Sequence, residues 1–402
     1  MGLNETVSAE RVHIAFFGLR NAGKSSLVNA VTGQNLAVVS DVLGTTTDPV
    51  KKAMELLPIG PVVIIDTPGF DDEGKLGLLR VEKTRQVLTK RDVAVIVHDA
   101  TKPFSETERE FIALIEQKKI PFLIAHNNAD LLVERKGLSQ NEIYVSASSG
   151  ENIHELKEKI AAFAKKEGEE KRVVGDILKA GDTVVMVMPI DAAAPKGRII
   201  LPQQQTLRDI LDSNCLAVCC KDTELESTLN ALREPPALVI TDSQVFGKVS
   251  KVLPESVPLT SFSILFARYK GDLATLTRGA KALSTLKDGD RVLISEGCTH
   301  HRQCGDIGSV KIPAWIRAFS KSEPQFEFTS GGEFPADLSN YRLIVHCGGC
   351  MLNEREMQSR ISGASSQTVP IVNYGVAIAH MNGILRRSLA PFPEILKILD
   401  EQ

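Results

Sequence analysis

The sequence predicts an α/β fold in three successive parts. Three observations predict it. Short apolar runs alternate with helix-patterned stretches along the chain, a glycine-rich phosphate-binding loop follows the first apolar run, and cysteine motifs follow two of the last ones. At 402 residues the chain is too long for one small core. Its 43% hydrophobic and 24% charged residues are the composition of an ordinary globular protein.

The first part opens with the apolar run 11–17, read as a strand, then a glycine-rich loop and a helix from Ser25 to Thr32. Further strands are expected at Val62–Asp66, Val93–Asp99, Pro121–His126 and Ile143–Val145, with helices at Glu106–Gln117 and Ile153–Lys166. Strand–helix alternation of this kind implies a parallel sheet covered on both faces. The charged run Lys165–Arg172 reads as the linker that closes the domain. In the second part, strands are expected at Val184–Met188, Cys215–Cys219, Ala237–Thr241 and Phe262–Phe266, and helices at Leu207–Leu211, Glu224–Leu232 and Val245–Val252. This is a small Rossmann-like layer without the dinucleotide glycine fingerprint, and so small a sheet needs cover, which points to pairing with another copy. The third part begins near Gly271, with a helix over Asp272–Leu286, a strand over Arg291–Ser295, a helix over Ile312–Phe319 and strands over Gln325–Thr329 and Tyr341–His346. Hinges are expected near Gly168 and Gly271.

Residues Gly18 to Ser25 (GLRNAGKS) match GxxxxGKS, with a strand before and a helix after, as the motif requires. Its backbone N–H groups, those of Asn21, Ala22 and Gly23 through Ser26, favour phosphate charge at the helix N-terminus. Lys24 is expected at the β- and γ-phosphates and Ser25 on Mg²⁺. Asp66-Thr67-Pro68-Gly69 supplies a DxxG element, with Asp66 on the metal side and the Gly69 N–H facing the γ-phosphate. In Gly44-Thr45-Thr46-Thr47-Asp48 the switch threonine is assigned to Thr46, a second Mg²⁺ ligand. Asn127-Asn128-Ala129-Asp130 reads as NKxD, in which Asp130 selects guanine; Asn128 replaces the usual lysine, so weaker guanine binding is expected. Ser146-Ala147 fits the closing SA element. Five elements in order at sensible spacing make this a GTP-binding domain.

Seven cysteines, the absence of a basic-then-apolar leader in the first ten residues and the lack of a membrane-length apolar run point to a reducing, cytoplasmic setting. Cys215, Cys219 and Cys220, in the apolar run CLAVCC, read as buried packing cysteines. Cys298-Thr299-His300 and His346-Cys347-Gly348-Gly349-Cys350 are different, because CxxC spacing brings two sulfurs to one centre and Gly348-Gly349 permits the tight turn. Cys298, Cys347 and Cys350 make three thiolates, flanked by His300 and His346. Spacing alone leaves a [4Fe–4S] cluster with one open iron and a closed Cys₃His zinc site both standing, and Cys304 could add a sulfur. His13, His98 and His154 read as ordinary core or surface histidines, Trp315 as packing, and Arg268 and Arg302 as solvated surface cations.

The G-domain residues resemble the TrmE and Era class of GTPases over residues 1–166. Phe70 stands where Ras-like proteins carry glutamine, and Asn21 matches the P-loop asparagine of the potassium-activated members. That resemblance implies slow, K⁺-stimulated turnover. The whole constellation, CxH-x₄₅-HCxxC behind a GTPase, resembles the HydF family of [FeFe]-hydrogenase maturation scaffolds. The resemblance implies a P-loop GTPase domain at 1–167, a dimerisation domain at 172–268 and a cluster-binding domain at 269–402. It further implies a [4Fe–4S] cluster on Cys298, Cys347 and Cys350, with His300 and His346 as candidates for the fourth position. The implied cargo is a diiron subcluster precursor, the implied partners the hydrogenase apoprotein and two radical-SAM maturases, and the implied state a homodimer or larger. The runner-up is a ribosome- or tRNA-associated GTPase with a structural zinc site. Against it stands the formal charge of −3, from 47 Lys+Arg against 50 Asp+Glu, since a nucleic-acid binder usually carries a basic excess. Neither a nucleic acid nor a membrane is expected as partner.

Overall fold

A computed structural model describes residues 11–34, 50–67, 92–117, 120–164, 171–190, 199–297, 307–331 and 333–400. The chain divides into two compact units, residues 1–169 and 170–402. The first holds a six-stranded sheet of β1 (Val12–Gly18), β2 (Val50–Leu56), β3 (Gly60–Asp66), β4 (Val93–Asp99), β5 (Phe122–Asn127) and β6 (Glu142–Tyr144), in the order β2-β3-β1-β4-β5-β6. Every neighbouring pair is parallel except β2 with β3. Alternation along each strand splits the core. Ile14 and Phe16 face α1 (Lys24–Thr32) and α3 (Ile153–Ala164), while Ala15 and Phe17 face α2 (Glu106–Gln117). The sheet expected at sequence level is present, with one addition. Strand β2 escapes the apolar pattern because it is an edge strand in which Lys52, Ala53 and Glu55 are exposed.

The second unit contains two four-stranded parallel sheets with one shared core. The first comprises β7 (Thr183–Val187), β8 (Leu216–Cys220), β9 (Leu238–Thr241) and β10 (Leu259–Ser261), in the order β10-β9-β7-β8. Helices α4 (Leu201–Asp212), α5 (Leu225–Ala231) and α6 (Phe246–Val252) connect them, and α7 (Phe262–Lys270) follows β10. After α8 (Leu273–Gly279), the second sheet comprises β11 (Arg291–Glu296), β12 (Gln325–Ser330), β13 (Leu343–His346) and β14 (Ile371–Asn373), in the order β12-β11-β13-β14. Its helices are α9 (Ile312–Ser320), α10 (Glu354–Ser366), α11 (Tyr374–Met381), α12 (Leu385–Leu389) and α13 (Pro393–Asp400). Numbered from its own first strand, each sheet runs 2-1-3-4, so each has a topological switch point between its first and third strands. Among the described residues no helix is long and apolar enough to cross a membrane.

Three expectations are corrected here. Phe262–Phe266 is not a strand but the start of α7. Ser261 ends β10 and its side chain caps the helix by accepting the Ile264 N–H at 3.2 Å. A buried helix and a buried strand present the same short apolar run, so periodicity could not separate them. The helix expected over Asp272–Leu286 breaks at Gly279 into α8 and 3₁₀ turns at Ala280–Thr285. Of the three cysteines read as buried, only Cys215 is; Cys219 is exposed and Cys220 intermediate, because β8 is an edge strand. Gly271 follows α7, and an added Cβ there would meet the Ala267 carbonyl oxygen at 2.7 Å, so close packing favours glycine at this position. Gly168 lies outside the described residues.

Gly279 is where α8 meets β14. A Cβ there would stand 2.0 Å from the Ile371 carbonyl oxygen. Gly279→Ala is therefore expected to destabilise the second unit by about 1–3 kcal/mol through overpacking, read as a lower urea midpoint with an unchanged slope.

Candidate functional site

The first candidate site lies at the carboxyl ends of β1, β3 and β5. Gly18 ends β1 so close to β4 that a Cβ would sit 2.4 Å from the Val97 carbonyl oxygen. The chain then turns through Asn21, whose φ of 61° is one asparagine tolerates, and Gly23, at φ 79°. Gly23 caps α1 through its backbone alone, with no side-chain hydrogen bond to the first turn. Buried Ala22 and Lys24, with the half-buried Ser25 and Ser26, line this N-terminus. Ser25 Oγ donates to Asp66 Oδ2 at 3.0 Å. The other oxygen, Asp66 Oδ1, is buried and has no hydrogen-bond partner among the described residues. Burial pushes the Asp66 carboxyl above its ordinary range, against the pull of the Lys24 ammonium and the Ser25 hydroxyl. An orphaned carboxylate oxygen beside a serine hydroxyl and a buried lysine fits a hydrated divalent cation with its phosphate.

Asn127 ties this loop to the rest of the pocket. Its Nδ2 donates to the Ala22 carbonyl at 3.1 Å, and its Oδ1 accepts the Ala147 N–H at 3.0 Å. One amide therefore fixes the distance between the phosphate loop and the SA element. Ser146 is fully buried, with its Oγ 2.9 Å from Ser148 Oγ and accepting the Ser149 N–H at 3.1 Å. Asp130 is exposed beside the Arg135–Glu151 ion pair. Sequence reasoning missed Asp99, the last residue of β4. Asn128, in the left-handed region at φ 64°, turns its amide to Asp99 Oδ1 at 3.1 Å. Burial opposes the Asp99 charge, but hydrogen bonds from Lys102, Thr101 and Asn128 win and bring its carboxyl down to about 2. The residue in the usual lysine position thus braces the loop from β4. Thr46, Gly69 and Phe70 lie outside the described residues.

The second candidate site is the switch point of the last sheet. Strands β11 and β13 end side by side, with the Cys347 N–H donating to the Ser295 carbonyl at 2.9 Å. Cys347 Sγ then accepts the Gly297 N–H at 3.0 Å and the Gly349 N–H at 3.4 Å. Gly349, at φ 65°, makes the turn that returns the chain to Cys350. The Cys347 sulfur lies deep, and burial pushes its thiol up to about 11 despite the two N–H groups. Burial raises the Cys350 thiol too, partly offset by the Lys270 ammonium. Backbone N–H groups aimed at a sulfur suit a thiolate better than a thiol, so the turn fits a soft metal or an iron–sulfur group. Among the described residues no set of three or more His, Cys, Asp or Glu surrounds a metal position. Cys298, His300, Arg302 and Cys304 lie outside the described residues.

His346 is wholly buried. Burial, reinforced by the Arg360 charge, lowers its imidazole to about 4. Its Nδ1 lies 2.8 Å from the Cys347 carbonyl oxygen and its Nε2 lies 3.0 Å from Arg360 Nη1, so both ring nitrogens are engaged. Sequence reasoning missed Arg360 and Lys270, which are 3% and 4% exposed. The other isolated residues fall where ordinary packing puts them. His98 is buried against Glu108 at 2.9 Å, His13 is buried near Asp92, and His154 is exposed. Trp315 packs on the core, and Arg268 pairs with Asp176.

A phosphate-loop domain and two small switch-point sheets define a P-loop GTPase extended by two further α/β domains. Residues 13–128 match the family described as 50S ribosome-binding GTPase. Residues 173–271 match the hydrogen maturase F dimerization domain, and residues 274–391 the hydrogen maturase F tetramerization domain. The chain belongs to the hydrogen maturase F (HydF) family, whose two domains span more than half of it. Over the first part it is similar to the tRNA modification GTPase MnmE of Bordetella petrii, 30% identical over 156 residues, 39% of this chain and 34% of that protein. GTPase Der of Wolinella succinogenes is 32% identical over 165 residues, 37% of this chain and 35% of that protein. The matched stretch thus spans about a third of the length of these relatives. Similar solved structures include Era from Aquifex aeolicus, 18% identical with a TM-score of 0.35, covering 60% of this chain and 97% of that one. A probable GTP-binding protein EngB is 23% identical with a TM-score of 0.32, covering 38% of this chain and 98% of that one.

A methyl group at position 23 would sit 2.1 Å from Asn127 Nδ2, at a φ that side chains rarely adopt. Gly23→Ala is expected to displace the amide that joins Ala22 to Ala147 and to weaken binding of a fluorescent guanine nucleotide by at least about tenfold.

Proposed function

We propose that this chain is a GTP-hydrolysing scaffold that holds a [4Fe–4S] cluster and carries a diiron subcluster precursor to the [FeFe]-hydrogenase apoprotein. The observation that carries the reading is the union of a phosphate-loop domain with the two hydrogen maturase F domains, the second of which ends two parallel strands at a cysteine turn. In the first site Lys24 binds the β- and γ-phosphates, held also by the N–H groups of the Gly18–Ser26 loop. Ser25 and Thr46 ligate Mg²⁺, with Asp66 on its water shell and the Gly69 N–H at the γ-phosphate. Asn127, Asp130, Ser146 and Ala147 hold the guanine. With phenylalanine at position 70 no side chain there orients water, so turnover is slow, and Asn21 supports K⁺ in its place.

In the second site Cys298, Cys347 and Cys350 are the thiolate ligands, and His300 with His346 shape the fourth position. A cluster with one replaceable ligand supplies exchangeable coordination for the cargo. Two radical-SAM maturases supply that cargo, and the parts at 172–268 and 269–402 serve self-association and cluster binding respectively. Self-association is supported by the edge of β8, which pairs on its outer side with no strand among the described residues and where Leu216 is 61% exposed. The Leu216 N–H donates inward to Asp182, so alternation turns the N–H groups of Ala217 and Cys219 outward, ready to pair with a second copy.

Two experiments test this reading. Lys24→Ala should lower GTP hydrolysis by more than about a hundredfold and leave reconstituted iron content intact, whereas Cys298→Ala should do the reverse. Stoichiometric zinc that iron and sulfide do not displace would sink the carrier reading. Cys219→Pro removes an outward edge donor without touching the bonds to β7, and should shift the protein to a smaller species in light scattering.

A further inference from the structure

Each cysteine of the turn is held by its own carbonyl oxygen. The Cys347 carbonyl accepts from His346 Nδ1 at 2.8 Å, and the Cys350 carbonyl accepts from Lys270 Nζ at 3.0 Å. Lys270 also donates to the Leu352 carbonyl at 3.0 Å and lies 5.5 Å from the Phe266 ring centre. It comes from α7, the helix behind the preceding sheet, and the same helix places Ser263 Oγ to accept the Gly375 N–H at 3.1 Å. His346 can donate through Nδ1 because its Nε2 is occupied as an acceptor by Arg360 Nη1 at 3.0 Å. Arg360 is held in turn by the Gly331 carbonyl at 2.6 Å, Glu356 at 2.8 Å and Ser295 Oγ at 3.3 Å, with its guanidinium 5.1 Å from the Phe334 ring centre.

We propose that Lys270 and Arg360 are positioning residues of the cysteine site. Lys270 acts directly on Cys350, and Arg360 acts on Cys347 by fixing the tautomer of His346. Together they preset the spacing of the two sulfurs and set positive charge beside the negative charge that thiolate ligation brings. The inference rests on the reading that an iron–sulfur group occupies the turn. Partners of this kind, one shell behind the ligands, commonly change metal retention by about 10–100-fold when removed.

The test uses the full chain with Lys270→Met, Lys270→Gln and Arg360→Gln beside the unmodified protein. Without metal, hydrogen exchange over residues 346–353 should quicken in every variant. After anaerobic reconstitution with iron and sulfide, loss of iron to a chelator should be about tenfold faster. The potential of the reduced EPR signal should move negative in the Lys270 variants and return toward the starting value in Lys270→Arg. A folded Lys270→Gln or Arg360→Gln protein with unchanged exchange, iron loss and potential would overturn the inference. Failure of the unmodified chain to take up iron would instead overturn the cluster reading, and the metal-free exchange rates would still decide whether these residues position the turn.

Discussion

The cysteine turn depends on one hydrogen bond, the last of the β11–β13 ladder, in which the Cys347 N–H donates to the Ser295 carbonyl at 2.9 Å. Parallel strands end together at the same side of a sheet, so whatever follows β11 is delivered beside whatever follows β13. The order β12-β11-β13-β14 sends the chain away from β11 in one direction and back past it in the other. Gly297, immediately after β11, therefore meets the Cys347 sulfur at 3.0 Å although fifty positions separate them in sequence.

The nucleotide side obeys a similar economy. A single side chain, Asn127 at the end of β5, joins the phosphate loop at Ala22 to the SA element at Ala147. Gly23 is required both for its φ of 79° and because Asn127 Nδ2 fills the space where a Cβ would be. The segment read as NKxD is thus also a structural part of the phosphate loop. Asn128 adds to this from the other side, spending its amide on Asp99 rather than reaching outward.

Much of this was legible in the sequence because two kinds of signal are local. The phosphate loop is a contiguous motif between a strand and a helix, and the described strands of the first unit other than the edge strand β2 fall within a residue or two of their expected places. The apolar alternation of Ile14 and Phe16 against Ala15 and Phe17 reads directly as two covered faces. Less was legible where an interaction is purely tertiary. FSILF looked like a strand until Ser261 capped it as a helix, and CLAVCC looked buried until the strand order made β8 an edge. Lys270 and Arg360 carried no motif, since nothing in the letters near residue 270 tells that its ammonium ends at the Cys350 carbonyl 80 positions later. The only sequence cue to Arg360 was Glu356 four residues earlier on the same helix face.

Electrostatics bears on what kind of group the turn would accept. Burying an ammonium or a guanidinium costs several kcal/mol per ion unless hydrogen bonds and opposite charge offset it. Here two such groups are buried around one short turn, Arg360 bonded to Glu356 at 2.8 Å and Lys270 to the Cys350 and Leu352 carbonyls at 3.0 Å each. The thiols at the same turn are pushed toward their neutral form by burial, Cys347 to about 11. The two N–H groups at the Cys347 sulfur thus face a thiol that burial holds in its neutral form. A soft metal bound by Cys347 and Cys350 would displace the thiol protons and supply thiolate charge at those donors. The same burial that disfavours a bare thiolate strengthens its attraction to Lys270 once the proton has gone. An anionic, thiolate-bound group at this turn would therefore meet N–H donors and a lysine ammonium already in place.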